Sequence, residues 1–410
     1  MRKSPYLLAV VIILAAIGLG ISNYVKNNSG SGQTNTNTIP SGGLSIANRG
    51  AAAFGTLGVA PTTPAQSGGV STDMKASDSS ARSSLIAPVP AQSVRYEYKG
   101  DALTLPSLPV LKRIKGFEGT DLQGILKSLN APLANLDSFN KLGLQQVTFA
   151  ENQENGYVIT LDALAGTASI YQNWERWTTL QKTITRPAPT GSAADLPADS
   201  ELTSIANAFL GAHSIRREGY GEPVVRKDWL MPGTSALAYV PTEISVVYPL
   251  LAEGKDVVDA SGQAYGITVG INIATKLVTS VYNITSLRFE ASTYPMVTKT
   301  ETVLEVVQRG GVYGSTATND AKALTIEVGT PKAGYLFSSY QLDSGSSDVL
   351  VPALIFPITK VPTGAQVYSK TIVVPLVQEL IEPQIIQPLT SGGATGSIEP
   401  DAATDLPTAR

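Results

Sequence analysis

The sequence has no cysteine and very little histidine. Zero cysteines among 410 residues exclude a disulfide framework, a thiolate metal site and a cysteine nucleophile. The single histidine, His213, excludes metal motifs that need two histidines, and we expect no metal and no other cofactor. No Gly-x-Ser-x-Gly elbow and no glycine-rich phosphate loop occurs in the chain. We therefore predict no catalytic residues and a protein that is not an enzyme.

Charge is also scarce. Charged residues make up 15% of the chain and the net charge is −3, whereas an average soluble domain has about 25% charged residues. No basic block is present, which argues against nucleic acid as a partner. Apolar residues make up 43%, which is enough for a sizeable core.

One long apolar run is present, from Tyr6 to Ile21, and it contains no charge. As a helix that rises about 1.5 Å per residue, it spans roughly 25 Å, close to the ~30 Å hydrocarbon core of a bilayer. We predict a transmembrane signal-anchor helix over residues 6–25 that follows a cytoplasmic stub over residues 1–5.

The charges beside this run predict its orientation. Arg2 and Lys3 precede it and only Lys26 follows it closely, and the flank richer in Lys and Arg stays in the cytoplasm. The sequence thus predicts a single-pass plasma-membrane protein with a cytoplasmic N-terminus and an extracytoplasmic main body. The alternative is a cleaved signal peptide, with Gly18 and Gly20 as the small residues before the cleavage site.

Two segments lack the apolar periodicity of folded structure. Residues 26–92 are rich in Ser, Gly, Thr, Asn, Ala and Pro, and residues 387–410 have a similar composition. Such segments bury too little apolar surface to offset the entropy cost of ordering. We predict a disordered tether over 26–92 and a disordered tail over 387–410.

Residues 93–185 are predicted to form a first α+β unit. A capping-box pattern starts an amphipathic helix over 120–129. The alternating segments that follow predict a β-meander with strands at 144–150, 157–161 and 167–171, separated by turns at Asn155-Gly156 and Ala165-Gly166.

Residues 195–386 are predicted to form a second, larger α+β region. A helix from Asp199 to about Ala212, capped by Asp199 or Ser200, precedes a meander within residues 195–290. Residues 298–386 add a third helix and a strand-rich end. This helix is predicted from about Lys299 to Gln308, with a capping box of Thr298 and Glu301 and a stop at Gly310-Gly311. The predicted strands of this region are 243–251, 266–273, 278–282, 323–328, 334–340, 349–358 and 366–375.

Two segments, residues 156–171 and 265–282, look alike: each is an alternating strand, a short polar turn and a second strand that ends in tyrosine. The order of one helix followed by such a hairpin resembles the PepSY type of exported bacterial domain. It is also similar to signal-anchored accessory regulators of envelope sensor kinases. The resemblance implies repeated helix plus antiparallel β-meander units and a binding or regulatory role without catalytic residues.

Aromatic residues offer the one candidate contact site. Tyr171, Trp174 and Trp177 lie close together in the sequence, with charged residues between the tryptophans. Such side chains stack on sugar rings and are enriched in the energetic centres of protein interfaces, but they also fill ordinary cores. His213 follows the second helix, where a cation would interact favourably with the helix C-terminus.

These observations lead to three functional hypotheses. The first is a non-catalytic envelope protein that binds and regulates or scaffolds another envelope protein. The second is a cell-wall glycan-binding protein that uses Trp174 and Trp177. The third is a carboxylate-based hydrolase, which would need a deep pocket lined by two facing carboxylates.

Overall fold

The computed structural model describes residues 44–57, 93–116, 125, 127, 146–162, 165–177, 196–227, 241–311, 323–342, 345–363, 365, 367 and 369–381. They all belong to one unit, Thr38–Arg410. Strands dominate this part of the chain and are arranged in two sheets.

The larger sheet has ten described strands. Its main path is β1-β13-β3-β16-β15-β10-β9, while β14 and β17 pair with β16, and β2 pairs with β14. Most neighbours are antiparallel, but β1–β13, β10–β15 and β2–β14 are parallel. The strands of this sheet are β1 (Ser45–Ala51), β2 (Val94–Tyr98), β3 (Val110–Arg113), β9 (Leu251–Ala252), β10 (Lys255–Val258), β13 (Arg288–Thr293), β14 (Leu324–Val328), β15 (Lys332–Leu342), β16 (Gly345–Lys360) and β17 (Thr371–Pro375).

The smaller sheet has seven described strands in the order β4-β5-β6-β12-β11-β8-β7. Every neighbouring pair in it is antiparallel. Its strands are β4 (Gln146–Ala150), β5 (Tyr157–Asp162), β6 (Thr167–Gln172), β7 (Val224–Val225), β8 (Glu243–Pro249), β11 (Gly266–Asn272) and β12 (Leu277–Thr285).

Three successive stretches of chain pass between the two sheets. The chain leaves the smaller sheet from β8 to β9, returns from β10 to β11, and leaves again from β12 to β13. Because the chain crosses repeatedly within residues 243–293, the two sheets are parts of one architecture rather than separate domains.

Two helices pack on these sheets. Helix α1 (Asp199–Ala212) buries Leu202, Ala206 and Leu210 against the smaller sheet. Helix α2 (Thr300–Gln308) buries its valines in a core with β16 and β17. Both lie where the sequence predicts them, but the predicted side-chain caps are wrong, because the N-cap residues are Ala198 and Lys299 and neither makes a side-chain capping bond.

The first predicted helix is described only in part. Ile125 and Lys127 are helical, and Ile125 is buried in the core beneath α1. The other residues of 120–129 lie outside the described part of the chain.

The predicted tether contains ordered structure. Strand β1 lies within it, pairs with β13, and is followed by a turn that buries Phe54 and Leu57. Arg49 on β1 also forms an ion pair with Glu290 on β13 at 2.5 Å. The tether prediction is therefore wrong for residues 44–57. The rest of 26–92, and the tail 387–410, lie outside the described residues.

The prediction of repeated helix plus β-meander units is wrong. The meander of the first predicted unit does not form its own sheet, because β6 pairs directly with β12 of the second. Strands β2 and β3 of the first unit belong instead to the larger sheet. A short meander exposes one apolar face and is marginal alone, and here both meanders bury that face in a single core with α1.

The membrane prediction also needs correction. In the described part of the chain, no helix combines the length and the apolar character needed to cross a bilayer. This finding contradicts the prediction of a single-pass plasma-membrane protein with a signal anchor and an extracytoplasmic body. Residues 6–25, on which that prediction rested, lie outside the described residues.

Candidate functional site

The structure separates the three aromatic residues singled out in the sequence. Trp177 has no exposed surface, and its Nε1 donates a hydrogen bond to the carbonyl oxygen of Gly156 at 2.7 Å. Its ring meets that of Tyr157 edge to face, with centroids 5.6 Å apart. Trp177 therefore belongs to the core and cannot contact a partner.

Tyr171 and Trp174 lie at the surface, with 36% and 56% of their surface exposed. Tyr171 is on β6, and Trp174 is in the turn that follows this strand. A residue that sequence reasoning missed, Tyr282 on β12, is 37% exposed and packs edge to face on Tyr171 with ring centroids 5.1 Å apart. We call Tyr171 and Tyr282 the tyrosine pair.

The tyrosine pair stands on the face of the smaller sheet opposite α1. In the strand pairing, Tyr171 is opposite Ser280, Ser280 is opposite Gly270, and Gly270 is opposite Ser245. These four residues therefore form one row across the sheet. Side chains alternate between the two faces along a strand. The next residues along these strands all point into the core beneath α1: Ile170, Val281, Val269 and Val246.

The carboxylate of Glu243 lies on this face in space that is open because residue 270 is glycine. A Cβ at Gly270 would collide with Glu243 Oε1 and with Ser280 Oγ, so glycine leaves the space that the carboxylate occupies. Thr279 holds the carboxylate by donating a hydrogen bond to Glu243 Oε2. Thr279 sits at a bulge in β12, where the pairing with β11 shifts register between Gly270 and Ile271.

The tyrosine pair and the carboxylate influence one another. Burial raises the pKa of Tyr282; the neighbouring Ser280 hydroxyl lowers it, and the nearby Tyr171 and Glu243 add smaller increases, so the net shift is upward. Tyr282 is therefore a neutral hydroxyl at physiological pH and can both donate and accept a hydrogen bond. The face thus combines two partly exposed phenol rings, serine and threonine hydroxyls and one exposed carboxylate.

His213 does not act as the cation that the sequence suggests. It follows α1, where its ring packs 4.2 Å from the ring of Phe209, measured between centroids, and 6.0 Å from that of Tyr157. Burial lowers its pKa, so the ring is neutral at pH 7. Its contribution is packing at the end of the helix.

This burial predicts a pH dependence of stability. Because the pKa of His213 is lower in the folded state than in the unfolded chain, the unfolded chain binds more protons as the pH falls through about 6.5. We expect the free energy of unfolding to fall between pH 7.5 and pH 5.5, and urea denaturation across this range measures it. His213 is the single histidine, so His213→Gln should flatten the dependence. If the free energy of unfolding of the variant depended on pH as steeply as that of the wild type, other titratable groups would be the cause.

The hydrolase hypothesis requires two facing carboxylates in a deep pocket. A cavity of about 620 Å³ near the end of α1 is lined by Glu218 and Glu222, and both residues are exposed to solvent. A carboxyl group that acts as a general acid needs burial to raise its pKa. Across the described residues, no group of three or more histidines and acidic residues is placed to hold a metal ion.

Comparison with known proteins places the chain in no family. No family model matches it, and no curated protein matches it. A solved structure of an uncharacterized protein from Eubacterium rectale is similar over 65% of this chain and 82% of its own, with 13% identity and a TM-score of 0.30. The resemblance to PepSY-type domains stays a prediction from the order of elements.

Proposed function

We propose that this protein is a non-catalytic binding protein that regulates or scaffolds another protein. The observation that carries the proposal is the tyrosine pair, whose rings are 36% and 37% exposed on a sheet face turned away from the core. Tyrosine is enriched in protein interfaces, because a rigid ring buries a large apolar area while its hydroxyl still finds a hydrogen-bond partner.

The arrangement around the pair fits a partner surface of mixed character. Strands β6 and β12 hold both tyrosines on neighbouring backbones, so little side-chain entropy is lost on binding. Glu243 is exposed, and its carboxylate supplies a polar contact beside the apolar centre.

Glycan binding is the second candidate, and the exposure of Trp174 favours it. With 56% of its surface exposed, this indole can lie against a sugar ring. Trp177 cannot contribute, because it is fully enclosed. A glycan-binding protein would lose affinity for immobilised polysaccharide on Trp174→Ala and keep it on Tyr282→Ser.

Photocrosslinking tests the protein-binding proposal. p-Benzoyl-phenylalanine at position 282 should crosslink one defined protein when the chain is expressed in its own cells, because the ring would lie inside the interface. The matched control carries the same group at Lys360, an exposed residue of β16 on the larger sheet. Mass spectrometry of the crosslinked bands gives the readout.

The proposal requires that the proteins crosslinked at position 282 differ from those crosslinked at position 360. A protein recovered from position 282, absent at position 360 and lost when Tyr171→Ser is added, is the expected result. Identical patterns at the two positions, or none at position 282, would remove the tyrosine pair as a protein-binding surface.

A further inference from the structure

The tyrosine pair has one charged neighbour on its face of the smaller sheet. Because side chains alternate between the two faces of a strand, the residues on this face are those between the core residues beneath α1. The positions nearest the pair are Ser169 and Tyr171 on β6, Thr279, Ser280 and Tyr282 on β12, Thr268 and Gly270 on β11, and Glu243, Ser245 and Val247 on β8. Glu243 carries the only charge among these positions, and it is exposed.

The carboxylate of Glu243 lies close to the pair because it occupies the space at Gly270. Glu243 Oε1 and Ser280 Oγ lie 2.5 and 2.4 Å from the point that a Cβ of residue 270 would occupy. Ser280 is opposite Tyr171 in the strand pairing. Gly270 is a diagonal neighbour of Tyr282, which lies two residues beyond its direct partner Ser280. Diagonal neighbours are about 7–8 Å apart, within reach of aromatic and long side chains.

The charge of this carboxylate is not neutralised by another described residue. Glu243 forms no ion pair within the part of the chain that the structure describes. Thr279 donates a hydrogen bond to Oε2 and holds the group in place, while Oε1 keeps its capacity to accept. Covering an unpaired carboxylate removes its water and is unfavourable unless a cation replaces that water. A partner that covers the tyrosine pair should therefore bring a positive group to Glu243.

The tyrosine rings favour the same kind of group. Their planes meet at 77° with the centroids 5.1 Å apart, so the two rings form a corner rather than a flat surface. The face of an aromatic ring carries negative potential and attracts an ammonium or guanidinium group within about 6 Å of the ring centroid. The rings and the carboxylate therefore complement the same cation.

We propose that the tyrosine pair and Glu243 bind a basic side chain, arginine or lysine, of the partner protein. The cation packs against a tyrosine ring and forms an ion pair with Glu243 Oε1. This inference rests on the protein-binding function proposed above and adds the charge of the group that the partner presents. The contact weakens as the ionic strength rises, because salt screens exposed ion pairs.

Nuclear magnetic resonance titration of the whole chain, isotopically labelled at tyrosine, tests the proposal. The probes are the Nα-acetyl methylamides of arginine, of lysine and of citrulline, which is the neutral isostere of arginine. The signals of residues 171 and 282 are identified by their loss in Tyr171→Ser and Tyr282→Ser. We expect both cationic probes to shift these signals, and the arginine probe to bind at least about fivefold more tightly than the citrulline probe.

A substitution at Glu243 tests the part played by the carboxylate. Glu243→Gln should weaken binding of the arginine probe at least about threefold and leave binding of the citrulline probe unchanged. The glutamine oxygen can still accept the hydrogen bond from Thr279, so folding should be preserved, and an unchanged urea midpoint checks it. The matched control is Glu218→Gln, which removes the charge of an exposed glutamate that follows α1 and should leave both affinities unchanged.

The outcomes separate this inference from the proposed function. Equal affinities for the cationic and the neutral probes, or equal effects of Glu243→Gln and Glu218→Gln, would overturn the inference even if a protein is crosslinked at position 282. A preference for the cationic probes that depends on Glu243 would support the inference even if no protein is crosslinked there and the proposed function fails.

Discussion

Replacing Arg113 by alanine is expected to lower the free energy of unfolding by about 3–5 kcal/mol. Arg113 on β3 is only 6% exposed, and its guanidinium binds Asp348 of β16 through Nε at 3.1 Å and through Nη2. Its Nη1 donates to the carbonyl oxygens of Ala165 and Gly166, at 2.7 and 3.2 Å, in the turn between β5 and β6. The side chain thus ties the larger sheet to a turn of the smaller one.

Arg113→Ala lowers the stability because it leaves the hydrogen-bond partners of the guanidinium unpaired. Without the guanidinium, the largely buried Asp348 keeps its charge without this partner, and two carbonyl oxygens lose a donor. Urea denaturation measures the change. A double variant, Arg113→Met with Asp348→Leu, removes both charges and should recover the part of the loss that comes from the unpaired Asp348. A loss below about 1 kcal/mol in Arg113→Ala would show that water replaces the guanidinium and that this link is not structural.

Trp177→Ala is expected to cost a similar amount, about 3–5 kcal/mol, because it empties a fully enclosed site. The indole packs edge to face on Tyr157 and donates to the carbonyl oxygen of Gly156. The matched variant is Trp174→Ala, three residues earlier and 56% exposed, which should change stability by less than ~0.5 kcal/mol.

A third variant, Trp177→Phe, divides this cost into two parts. Phenylalanine keeps most of the buried ring and removes only the Nε1 donor. The oxygen of Gly156 still accepts from the backbone N–H of Asn173 at 2.9 Å, so the loss should be well below that of alanine. Equal losses in Trp174→Ala and Trp177→Ala would contradict the division between a buried and an exposed tryptophan.

Sequence patterns predicted the elements far better than their assembly. Helix α1 and strands such as β5 and β11 lie within a residue or two of their predicted bounds, because local alternation and turn residues determine them. The pairing of β6 with β12 joins residues that are more than a hundred positions apart in the sequence, and a local pattern cannot predict such a pairing. Grouping by sequence order therefore produced two units, although both meanders share one core.

Strand β16 shows the same limit. Pro352 and Pro357 within this strand, and Pro375 in β17, predict edge positions or bulges, because proline lacks the N–H that a ladder uses. In the structure β16 is central and pairs with β15, β3, β17 and β14 along its length. The strand is long enough that each partner needs only part of its backbone.

The candidate site was predictable in part. Proximity in sequence drew attention to Tyr171 and Trp174, which the structure places at the surface, but it also included Trp177, which is buried against Tyr157 and Gly156. Tyr282 was missed, because only strand pairing brings it to Tyr171. The one available signal was that both predicted hairpins end in tyrosine.

The most direct test of the central claim is the dissociation constant of the protein crosslinked at position 282. Hot-spot side chains at interfaces contribute at least ~2 kcal/mol, so the Tyr171→Ser/Tyr282→Ser double variant should bind that protein at least about 30-fold more weakly. Its urea midpoint should match that of the wild type, since both tyrosines are partly exposed. An unchanged dissociation constant in a folded double variant would contradict the account.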